Sequence, residues 1–260
     1  MEEKIKAGQR LLGEFRDAFG RVTLYPDSRS NALIGHFDSE NLNLWTGEAS
    51  VLLKLNGLVI PEHKELADTG FAMDTVEPGL ISRQPFPYWK DNNHHIVSWD
   101  EFNGLMYHAI VYGDQDTPRE VIDYGRRHFY SYVDGFEGVP FKKRVALFLS
   151  GLRQPRDFFF YKIAAGIKPN LFEALWAATS HILSSRKPAD ITSGKMMGWF
   201  KMKALDIIGY EGKIWGFAKK RFDKNLKKMY NGDDYIEKMA RIYFKETEPE
   251  HPFHALFKGL

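Results

Sequence analysis

The chain has 260 residues, 43% of them hydrophobic and 15% aromatic, and a formal net charge of +2. That length allows one large domain or two small ones, and the balanced charge gives no strong global pull towards nucleic acid or a membrane surface. With no cysteine present, disulfides and thiolate metal sites are excluded.

In chain order, Ile5, Leu11, Leu12, Phe15 and Phe19 recur at helical spacing, which predicts a first helix over Glu2–Phe19. The segment is charged and amphipathic, with no apolar stretch leading to a cleavage site. A signal peptide is therefore not expected, and synthesis in the cytoplasm is. No apolar run approaches the roughly 18 residues that span a membrane. Residues 21–37 hold Pro26, Asp27, Ser28 and Asn31 and read as an irregular connection. Ser39 is placed to cap a helix that runs to Leu55 and ends at Gly57. A Pro/Gly-rich loop follows at about 57–97, and its Phe71, Phe86, Tyr88 and Trp89 predict that it is packed.

Two helices with clear start signals come next. Ser98-Trp99-Asp100-Glu101 matches a capping box, in which a hydroxyl accepts from the first turn and a carboxylate three residues on reaches back. Thr117-Pro118-Arg119-Glu120 repeats the pattern, with proline at the favoured first helical position. Gly113 and Gly135 close the two helices, so the pair reads as an αα-hairpin. Further helices are expected over 142–151, 156–165, 171–184, 194–208, 213–230 and 234–245. The fold expectation is a single, mainly α domain over 1–260, built from stacked αα-hairpins.

The densest polar run is Asn92–Asn103, at the entrance to the first capped helix. Free N–H groups and the helix dipole favour anionic groups there. Capping accounts for Ser98 and Glu101, and loop chemistry accounts equally well for Asn92. Asp100, His94, His95, Asn93 and Asn103 remain, with Arg83 upstream as a bidentate anion binder. A histidine beside a carboxylate is a usable acid–base pair, so Asp100 and His95 are the catalytic candidates. Arg83, Asn93, His94 and Asn103 are the ligand-binding candidates.

Elsewhere the plainer readings prevail. His108 and His128 read as packing residues, and His251 and His254 lack a third metal ligand. Arg153, Arg156 and Asp157 before Phe158-Phe159-Phe160-Tyr161 read as helix-start charge followed by core. The basic, aromatic stretch 195–228 reads as an amphipathic surface or protein contact, and nucleic acid is disfavoured because no recognition motif accompanies it. Phosphate-loop, dinucleotide, nucleophile-elbow and zinc-peptidase motifs are absent from the sequence. No cofactor or metal is expected.

The run Arg83, Pro85, Asn93-His94 and Ser98-Trp99-Asp100-Glu101-Phe102-Asn103-Gly104-Leu105, with the capped helix after it, resembles segments of α/α-toroid proteins. In those, successive helical hairpins circle a central cleft. Many are glycan-active, and similar stretches occur in bacteriophage proteins. The resemblance covers about the middle third of the chain and implies an open or partial toroid, with Asp100 and His95 at the cleft mouth and Arg83 nearby.

Two functional expectations follow. One is a non-catalytic structural, adhesion or assembly protein, in its most specific form a bacteriophage virion component, with protein partners or further copies of itself. The other is a polysaccharide lyase or glycoside hydrolase-like enzyme that takes a glycan ligand. Neither requires a membrane.

Overall fold

The computed structural model describes residues 42–58, 78–79, 99–127, 155–186, 193–243, 256–257 and 260. Every regular element among them is helical: α1 (Leu42–Leu55), α2 (Trp99–Tyr112), α3 (Asp116–Arg127), α4 (Pro155–Ala164), α5 (Leu171–Ser184), α6 (Ser193–Ile207), α7 (Lys213–Met229) and α8 (Tyr235–Tyr243). The mainly α expectation holds. The expected helices over 2–19 and 142–151 and nearly all of the 57–97 loop lie outside the described residues.

The core forms around α6, which packs against α1, α2, α5 and α8. Met196, Trp199, Phe200, Met202, Ala204 and Leu205 are all buried, so this helix is apolar nearly all round. Burying each large side chain contributes about 1.5–3 kcal/mol relative to exposure. Its lysines depart from the expected basic surface. Lys195 is fully buried. Lys201 and Lys203 lay their ammonium groups over the rings of Phe160 and Trp199, at 5.9 and 5.8 Å.

Helix α2 packs on α1, α3, α4 and α6. Tyr107 donates to the carbonyl of Met197 at 3.1 Å, which pins α2 to α6. Helix α5 packs between α4 and α7. Asn170 and Glu173 form a reciprocal capping box at its start. Glu173 also pairs with Lys162 of α4.

Helix α3 starts differently from the sequence expectation. Its first amides donate to Asp114, from Asp116 at 2.9 Å and Thr117 at 3.2 Å. The short Asp114 side chain therefore takes the cap and leaves Thr117 inside the helix. Helix α7 is amphipathic, with Trp215, Ala218, Phe222 and Leu226 buried and Lys220, Arg221, Lys224 and Lys228 exposed.

A cleft between α2, α5, α6 and α7

One cleft of about 300 Å³ gathers residues from five helices. Helix α2 contributes Asp100 and Asn103, three residues apart and hence on one face. Helix α5 contributes Ala177, Ser180, His181 and Ser184, and α6 contributes Gly194, Met197, Gly198 and Lys201. Both sets follow the i, i+3, i+4, i+7 spacing of a single helical stripe. Phe159 and Phe160 of α4 and Trp215 of α7 supply aromatic walls. The volume lies at the small end of the ligand-site range.

The imidazole of His181 is held by stacking. Its ring lies 4.0 Å from that of Phe222 and nearly parallel to it, and 4.7 Å from that of Trp215. Gly198 makes room for this arrangement: a Cβ there would lie 2.9 Å from Phe222 and 3.4 Å from His181 Nδ1. Asp100 is exposed at the first turn of α2, where the helix dipole favours its carboxylate. Asn103 is 3% exposed and Trp215 5%. Asn103 Oδ1 and Trp215 Nε1 have no hydrogen-bond partner among the described residues.

A second carboxyl lies behind Asp100. Glu48 of α1 is fully buried. The Tyr243 hydroxyl donates to its Oε1 at 3.5 Å, a long contact. Burial, then the charge of Asp100, hold the Glu48 carboxyl well above the usual carboxylate range. Burial and the neighbouring Glu48 likewise push the Tyr243 phenol up.

Of the sequence candidates, Asp100 and Asn103 meet in this cleft. Arg83, Asn93, His94 and His95 lie outside the described residues. Sequence reading missed His181, Trp215 and Glu48. The signal for His181 was a lone imidazole within the apolar run 171–183. The signal for Glu48 was a single acid in the otherwise uncharged segment 42–53. His108 is a packing residue: it is buried, its Nδ1 lies 3.3 Å from Ser50 Oγ, and its ring rests on Tyr112.

Among the described residues no group of three or more His, Asp or Glu could hold a metal ion. No helix among them is long and apolar enough to cross a membrane. No family model, curated protein or solved structure matches the chain.

Proposed function

We propose that the cleft is the active site of a glycan-cleaving enzyme in which Asp100 and His181 are the acid–base groups. The observation that carries this reading is the convergence of a carboxylate, an imidazole, the Asn103 amide and the Lys201 ammonium on one aromatic-walled cleft. Sugars present hydroxyls to polar groups and C–H faces to rings, and this lining offers both. In hydrolysis, one of the pair protonates the leaving glycosidic oxygen while the other draws a proton from the attacking water. His95 remains a further candidate for either role. An open arrangement of hairpins around the cleft, as in α/α-toroid proteins, is part of the same proposal. The test is incubation of the full chain with a panel of polysaccharides, reading new reducing ends and unsaturated products. A panel without any cleavage contradicts the proposal.

A second reading, an assembly component, draws on α5. That helix exposes Leu171 (67%), Phe172 (62%), Leu175, Trp176 and Leu183. An apolar stripe of this kind is typical of interaction surfaces. The bacteriophage form of this reading rests on the sequence resemblance. Sedimentation of the chain and of a Leu175→Glu, Trp176→Glu variant tests it. A parent that stays monomeric at high concentration contradicts self-assembly through this face.

A further inference from the structure

We propose that the outer faces of α5 and α7 form a docking surface for an anionic lipid bilayer, on which the protein lies without spanning it. The bilayer takes the place on α5 that a further copy of the chain would occupy in self-assembly.

Helix α5 carries apolar residues on both its inner and its outer side. The inner side buries Ala177, Ala178 and His181 and lines the cleft. The outer side exposes Leu171, Phe172, Leu175, Trp176 and Leu183. No charged residue interrupts that stripe. Glu173, the one acid of the helix, closes the cap and pairs with Lys162. A helix apolar all round is ordinarily covered on every side, and a run of large exposed apolar side chains marks an interaction surface.

Helix α7, which packs against α5, indicates what covers it. Lys213, Phe217, Lys220, Arg221, Lys224 and Lys228 recur at three- and four-residue spacing, on the side of α7 away from its buried Trp215, Ala218, Phe222 and Leu226. None of these five cations pairs with an acid among the described residues. Off the stripe, Lys219 pairs with Asp206, and Lys227 pairs with Asp223 and Asp233. Lys220, Lys224 and Lys228 stand four residues apart and repel one another along the helix. Among them Phe217 is 67% exposed.

The partner must therefore offer anionic charge beside an apolar layer. An anionic bilayer offers both: its headgroups attract lysine and arginine, and the acyl boundary beneath takes leucine and aromatic side chains. Rings such as those of Phe172, Trp176 and Phe217 suit that depth. Nucleic acid supplies the charge and no apolar layer. A second copy related by two-fold symmetry supplies the apolar face with the same cations, and so brings no anionic charge.

The experiment is flotation of the full chain with vesicles of phosphatidylcholine alone and of phosphatidylcholine mixed with phosphatidylglycerol. Partitioning should be about ten-fold or more stronger into the anionic vesicles, and raised salt should weaken it. Two double variants change exposed side chains only: Lys220→Gln with Lys224→Gln, and Phe172→Ser with Trp176→Ser. Each should lower partitioning into the anionic vesicles about ten-fold or more. With one variant on each helix, the test stays decisive if the other misfolds. Equal partitioning into both vesicle types, no flotation, or undiminished binding by a folded variant overturns the proposal. Retention on double-stranded DNA, or dimer formation, by a chain that leaves anionic vesicles unbound also overturns it. Vesicle binding is read without any polysaccharide, so either outcome leaves the catalytic reading of the cleft to its own test.

Discussion

Gly47 of α1 and Gly104 of α2 bring their helices into backbone contact: a Cβ on Gly47 would lie 1.9 Å from the Gly104 carbonyl oxygen. No rotamer change relieves a clash with backbone, so α1 must move for any larger residue to fit. Asp100 and Asn103 ride on the N-terminal half of α2, so this crossing sets one wall of the cleft. Gly47→Ala should therefore destabilise the fold by about 1–3 kcal/mol or more, the usual range for overpacking. Chemical denaturation measures the loss. An alanine variant as stable as the parent would show that the helices do not meet this closely.

Glu48, next in sequence, gives a pH prediction. Its carboxyl is held above the ordinary value of 4.5, chiefly by burial. The folded state then binds the proton more tightly than the unfolded state does. The contribution of Glu48 is intact below the unfolded value and is lost as pH rises through the folded one, because a charge must then be buried. Glu48→Gln keeps an acceptor for the Tyr243 hydroxyl and carries no charge. Its melting temperature should match the parent's in acid and exceed it increasingly towards neutrality. A difference independent of pH contradicts the buried-acid account.

Gly198 tests the stacking of His181. Adding a methyl 2.9 Å from Phe222 Cε2 and 3.0 Å from Cζ forces the phenyl ring off the imidazole. Gly198→Ala should cost about 1–3 kcal/mol in stability. It should also shift the imidazole resonances of His181 in an NMR spectrum. Unchanged resonances would mean that Phe222 does not hold the ring.

What the sequence made legible was local. Leu171–Ser184 was readable to the residue, because the apolar run is bounded by Pro169 and by the polar turn after it. Asp100 and Asn103 were readable as candidates once capping had accounted for their neighbours, and both line the cleft. The start of α3 was misread because Thr117-Pro118 imitates a capping box, while Asp114, a few residues earlier, competes for the same amides and wins. His181 and Trp215 were not readable. Their meeting depends on Phe222 and on the space at Gly198, which are brought together only by the packing of α5, α6 and α7. Glu48 was illegible for the same reason: its burial depends on a helix crossing with residues more than fifty positions away.

The most direct test of the cleft as a catalytic site is the turnover of the best-cleaved polysaccharide by Asp100→Asn and His181→Gln, set beside the parent. Asp100→Asn keeps the side-chain shape, His181→Gln keeps a polar amide in place of the imidazole, and each removes an acid–base group. The account predicts a fall in kcat of about 10²–10⁴ in each, the usual contribution of a general acid or base, with folding retained. Turnover within a few-fold of the parent in both variants would contradict it.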